Sequence, residues 1–87
     1  MIAAMKLAKF VKFREEKFGG VLFETRAEKV FTLNATATAV VSEIDRGADE
    51  TDIPLRLRER FRDETGAIER EALAFVAELK QKGLVES

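Results

Sequence analysis

The side chains in this chain that could do chemistry are carboxylates, lysines, arginines, serines and threonines; histidine and cysteine are both absent. Without histidine the chain lacks the commonest general base and the commonest metal ligand. Without cysteine it has no thiolate nucleophile, no disulfide and no thiolate metal site. The acids cluster as Glu15-Glu16, Asp49-Glu50 and Glu69/Glu71, all in polar stretches with no partner that would activate them. Near neighbours on a helix do not face one another, so Glu69 and Glu71 are not an acid/base dyad. Gly19-Gly20 lacks the spacing and the Lys-Ser/Thr of a phosphate-binding loop and reads as a turn. The expectation is a protein that is not an enzyme, with no cofactor and no metal.

Arg56, Arg58, Arg60 and Arg62 raise a second possibility, a winged-helix DNA-binding or regulatory domain. The two i,i+4 pairs, Arg56/Arg60 and Arg58/Arg62, face different sides of a helix. The helix that would enter a groove carries Glu69 and Glu71 near its start, which repel phosphate. A solvated charged face is the expected reading.

These residues must be positioned by short elements. Eighty-seven residues make one domain. A net charge of −1 with 36% charged residues sets up no field favouring nucleic acid or an anionic membrane. No apolar run approaches the roughly 20 residues of a membrane span, and the start is a poor signal peptide, so a cytoplasmic protein is expected.

The pattern pivots at Val30-Phe31-Thr32-Leu33-Asn34-Ala35-Thr36-Ala37. Before Asn34 the period is that of strands: Val11 and Phe13 alternate with Lys12 and Arg14, then come Val21 to Glu24 and Lys29 to Leu33. Asn34 can cap a helix, and Ala37, Val40, Val41 and Ile44 then share one helical face. That helix is expected over Ala35 to Arg46, ending at Gly47. A second, capped by Asp49 or Thr51, buries Ile53, Leu57 and Phe61. A third, over Ala67 to Lys82, buries Ile68, Ala72, Phe75, Val76 and Leu79 and ends at Gly83 in a Schellman motif joining Leu79 and Leu84. Residues 1–8 read as a loose N-terminal arm, or a strand pairing elsewhere, ahead of a domain over 9–87. The fold class is α+β: a three-stranded antiparallel meander followed by three helices.

Two features stand out from a plain core. Leu73 and Ala77 lie off the core stripe of the third helix and form a second apolar strip rimmed by Arg70 and Lys80. The Val30-to-Leu33 strand can form a sheet edge, and an edge is a template for another chain. Either Leu73 simply widens the core face, or the two features together form a groove that takes an extended peptide by β-augmentation, with affinity on the order of micromolar to sub-micromolar. The same edge, or the N-terminal arm, could instead join two copies as a homodimer.

At this point the residues resemble a known family. Phe18-Gly19-Gly20-Val21-Leu22-Phe23, Leu33-Asn34-Ala35-Thr36-Ala37, the Thr51-to-Phe61 stretch and Glu71 through Val85 are similar to the PqqD-like family of RiPP recognition elements. The resemblance implies a winged-helix-like fold. It also implies a peptide chaperone that binds the leader of a ribosomally made precursor peptide and presents it to a modifying enzyme, often a radical SAM maturase, as in PQQ biosynthesis. In such domains the leader adds beside the third strand and packs on the third helix. Here that implies contact with Lys29, Val30, Phe31, Thr32 and Leu33, and with Arg70, Leu73, Ala77 and Lys80. The chain departs from the PQQ members in having Thr25-Arg26-Ala27-Glu28 in place of a proline and acidic dipeptide, and in lacking cysteine. Phe18-Gly19-Gly20 looks closer to members serving other radical SAM peptide pathways, the mycofactocin type among them.

Overall fold

The computed structural model describes residues 5–62 and 64–86. Residues 1–4 of the expected arm and Asp63 of the expected connection between the second and third helices lie outside them. In chain order the elements are β1 (Lys6–Leu7), β2 (Val11–Glu16), β3 (Gly19–Glu24), β4 (Lys29–Leu33), α1 (Ala35–Asp45), α2 (Asp52–Phe61), α3 (Ala67–Gln81) and β5 (Val85–Glu86). Strands β2, β3 and β4 form the antiparallel meander, in that order, and β1 pairs with β5 in a separate two-stranded sheet.

The alternation in β2 is realised: Val11 is buried and Phe13 packs against the core, whereas Lys12 and Arg14 are exposed. The first turn differs from the expectation, because Gly19 and Gly20 belong to β3 and the two-residue turn is Lys17-Phe18. The reason is a close approach. Gly19 has φ +146°, and a Cβ there would stand 2.2 Å from the carbonyl oxygen of Leu33, so only glycine lets β3 lie against the end of β4. In the second turn the Glu24 carboxylate accepts hydrogen bonds from the amides of Arg26 (2.8 Å) and Ala27 (3.0 Å), which explains how an acid can be buried at that point.

Asn34 caps α1 through its side-chain oxygen, 2.8 Å from the amide of Ala37. On α2 the side chain that caps is Asp49, whose Oδ1 accepts from the amides of Thr51 (3.0 Å) and Asp52 (2.9 Å) and from the Thr51 hydroxyl (2.7 Å). The hydroxyl bond comes first among the causes that hold the Asp49 carboxyl below its ordinary 3.8, followed by the Asp52 amide. Helix α3 ends in the Schellman motif: Leu84 N donates to Leu79 O and Gly83 N to Lys80 O, both at 3.0 Å, with Leu79 and Leu84 buried.

The core lies between the inner face of the meander and the three helices. Leu22, Val40, Val41, Ile44, Ile53, Leu57, Val76 and Leu79 are essentially inaccessible, and burying each such side chain contributes about 1.5–3 kcal/mol. Residues 5–8, expected as part of a loose arm or of a strand pairing elsewhere, take the second form and belong to this core. Met5 and Ala8 are buried, β1 pairs with β5, and the Ala8 amide donates to Leu84 O at 2.9 Å. The partner strand is 78 to 80 positions away (Leu7 opposite Val85, Lys6 opposite Glu86), a distance at which local periodicity carries no signal.

Candidate functional site

Strand β4 is an edge of the meander. Which of its backbone groups are free follows from one bond on the far side of the sheet. Thr25 N donates to Phe10 O at 2.9 Å, one step beyond the Val11–Glu24 pair. Hydrogen-bonded and non-bonded pairs alternate along an antiparallel ladder. Gly19, Val21 and Phe23 therefore bond toward β2, and Gly20, Leu22 and Glu24 bond toward β4, where they face Leu33, Phe31 and Lys29. Val30 and Thr32 are left with their amides and carbonyls directed outward from the edge.

The side chains alternate in the opposite sense. Lys29, Phe31 and Leu33 share the inner face with buried Leu22, whereas Val30 (61% exposed) and Thr32 lie on the outer face. Between this edge and α3 runs a trough of three connected hollows. The middle one, about 160 Å³, is walled by Leu22, Phe31, Leu33, Phe75, Leu79 and Leu84, with Thr32, Glu78 and Lys82 at its rim. It shares Phe75 and Glu78 with a hollow bounded by Asn34, Thr36, Ala37, Glu71 and Ala74. It shares Phe31, Lys82 and Leu84 with one bounded by Glu24 and Lys29. An apolar floor thus runs beneath a line of unpaired backbone donors and acceptors.

In the strand half of the expected site, Lys29, Phe31, Thr32 and Leu33 border this trough, and Val30 turns its side chain to the outer face. The helix half does not border it. Arg70, Leu73, Ala77 and Lys80 line none of the three hollows and lie exposed on the side of α3 away from β4. There Lys80 Nζ is 2.6 Å from Glu50, and the neighbouring Glu69 is 3.5 Å from Arg58. Leu73 remains 48% exposed beside them. The physical reason is that helical periodicity identifies which residues leave the core stripe but not which neighbour stands on each side. With Ala72, Val76 and Leu79 in the core, Glu71, Phe75, Glu78 and Lys82 turn to β4. The signal for this second line was present as their 71, 75, 78, 82 spacing, with Phe75 at the margin of the core stripe.

The arginines of α2 are partly engaged. Arg56 donates to Glu43 at 2.9 Å, a bond that raises its already high pKa, and Arg58 pairs with Glu69. Among the described residues no group of three or more His, Cys, Asp or Glu side chains could hold a metal ion, and no helix is long and apolar enough to cross a membrane.

Fold and trough together define a small α+β domain of the winged-helix kind, with an open sheet edge alongside its last helix. The model of one family, described as coenzyme PQQ synthesis protein D, matches residues 19–85, and the chain belongs to this PqqD family. Among solved structures the chain is similar to a lasso peptide synthetase B1 complexed with the leader peptide. That match has 26% identity and a TM-score of 0.79, covering 98% of this chain and 100% of that one. It shares its fold with TbiB1 in complex with the TbiA(β) leader peptide (21% identity, TM-score 0.81, 94% and 95% covered). It also shares its fold with the PqqD truncation of Methylobacterium extorquens PqqCD, a stand-alone RiPP recognition element (24% identity, TM-score 0.71, 97% and 89% covered). No curated protein sequence matches the chain.

Proposed function

We propose that this domain binds the leader segment of a ribosomally synthesised precursor peptide as an added strand on β4 and presents the peptide to a modifying enzyme, performing no chemistry itself. The observation that carries this reading is the outward-facing backbone of Val30 and Thr32 above the apolar trough. A leader strand there takes main-chain bonds from the edge and drops alternate side chains against Phe31, Phe75 and Leu79. The lasso synthetase relative, matched over its whole length, was solved with a leader peptide, which supports the same role here. The contacts we assign are Lys29 to Leu33 on the strand and Phe75, Glu78 and Lys82 on the helix. The partner enzyme is a radical SAM maturase of a PQQ-type or related peptide pathway, and the site of action is the cytoplasm. A homodimer through β4 would occupy the same edge and compete with the leader.

The test is an amide-shift titration of the isotopically labelled domain with the leader peptide of a precursor encoded beside it, with duplex DNA as control. Saturable shifts clustered on Lys29 to Leu33 and on the Phe75-to-Lys82 flank are the expected result. Shifts with DNA alone, or with neither, sink the reading. Size exclusion at two concentrations, with and without peptide, separates an edge-to-edge dimer from a one-to-one complex.

A further inference from the structure

The trough is electrically polar along its length. At the Asn34 end it is bounded by Glu71 and Glu78, with no lysine or arginine on its walls. The N-terminus of α1, which would oppose a cation there, already has its Ala37 amide capped by Asn34. At the opposite end stand Lys29 and Lys82. Glu24 also lies at that end, its carboxylate accepting from the amides of Arg26 and Ala27, so two lysines stand there against one acid. Glu78 and Lys82 also contact each other, at 3.9 Å, but both side chains are about half exposed and such a pair is weak. Between the two ends the walls are apolar, with Thr32 and the adjacent Glu78 and Lys82 at the rim.

From this arrangement we infer the class of peptide the trough selects, an inference that rests on the strand-addition reading. Its ligand is an extended segment of roughly seven residues running antiparallel to β4, with a basic residue first, apolar residues third and fifth, and an acidic residue seventh. The outward amides and carbonyls of Val30 and Thr32 could serve either orientation, and antiparallel addition is assigned because it is the more stable ladder per residue. Val30 and Thr32 each present an amide and a carbonyl together, and an antiparallel partner exchanges both bonds with the residue directly opposite. Residues opposite Leu33, Phe31 and Lys29 then point into the trough, because directly opposed side chains share a face. The third and fifth residues meet Phe75 and Leu79. The seventh meets Lys29 and Lys82, and the first, beyond Leu33, meets Glu71 and Glu78.

Two capped, fluorescent peptides of identical composition test this. One has lysine first, leucine third, valine fifth, glutamate seventh and threonine between; the other has lysine and glutamate exchanged. Anisotropy titrations at low ionic strength are expected to show the first binding about five- to tenfold tighter, a gap that shrinks as salt is added. The double variant Glu78→Lys/Lys82→Glu, which keeps the i,i+4 pair and the net charge, is expected to erase or reverse the preference. Equal binding of both peptides, abolished by Thr32→Pro, overturns the charge order while leaving strand addition intact. A preference for the exchanged peptide overturns the assigned direction. Binding by neither peptide removes both this inference and the reading beneath it.

Discussion

Lys82, the C-cap of α3, holds its Nζ 5.9 Å from the ring centroid of Phe31 on β4, so the two elements meet across the mouth of the trough through a cation above an aromatic ring. Phe75, one and a half to two turns earlier on the same flank, supplies the deeper wall. Phe75→Ala is expected to weaken leader binding by roughly tenfold or more, since apolar anchors in a desolvated hollow dominate small interfaces. Leu73→Ala, on the side of α3 away from β4, is expected to leave affinity within about twofold. Isothermal titration of both variants against one leader peptide decides which flank of α3 is used.

Thr32→Pro removes one outward amide from the edge and touches no bond between β3 and β4. Proline is tolerated on edge strands, so the melting curve is expected to stay close to that of the parent. Leader binding is expected to collapse, because the incoming strand loses a main-chain partner at the centre of its register. A variant that still binds normally would rule out strand addition at this edge.

Gly19→Ala tests the contact that sets β3 against β4. The added methyl would meet the Leu33 carbonyl at 2.2 Å, at a φ that L-residues rarely adopt. The expected cost is about 2–4 kcal/mol, with Tm lower by roughly 10 °C or more. Gly47→Ala has positive φ as well but meets nothing within 4 Å, so it should cost less in the same urea or thermal unfolding series.

Asp49→Ala removes the acceptor that holds the first turn of α2, and a fall in Tm of roughly 5 °C is expected at neutral pH. The carboxyl is held below its ordinary 3.8, so its extra contribution is fully present above that value. It is lost as pH falls from there through the lower folded-state value. The stability gap between parent and Asp49→Ala should therefore narrow in acid, read by thermal unfolding from pH 7 down to about pH 2.

Among the described residues Arg56 is bonded to Glu43 and Arg58 is paired with Glu69, and Glu69, Glu71 and Glu78 add negative charge along α3. The domain is expected to pass through heparin at physiological salt, where a phosphate-binding winged helix would be retained. Column retention is a direct check.

Much of this was legible in the chain because it depends on neighbours in sequence. The switch of period at Asn34, the cap it makes, the buried stripes of Val40/Val41/Ile44 and Ile53/Leu57, and the Leu79–Leu84 closure at Gly83 are all set within a few residues. So was the candidate edge, since Lys29 to Leu33 is the last strand of a meander. What tertiary structure alone decided is long-range. Met5, Leu7 and Ala8 join the core because β1 finds β5 at the other end of the chain. Gly19 belongs to a strand because the Leu33 carbonyl lies against it. The flank of α3 that faces β4 is Phe75, Glu78 and Lys82 rather than Leu73 and Ala77, because a helix can be rolled either way against a sheet without changing its periodicity. Only the packing of α2 on one side and β4 on the other removes that freedom.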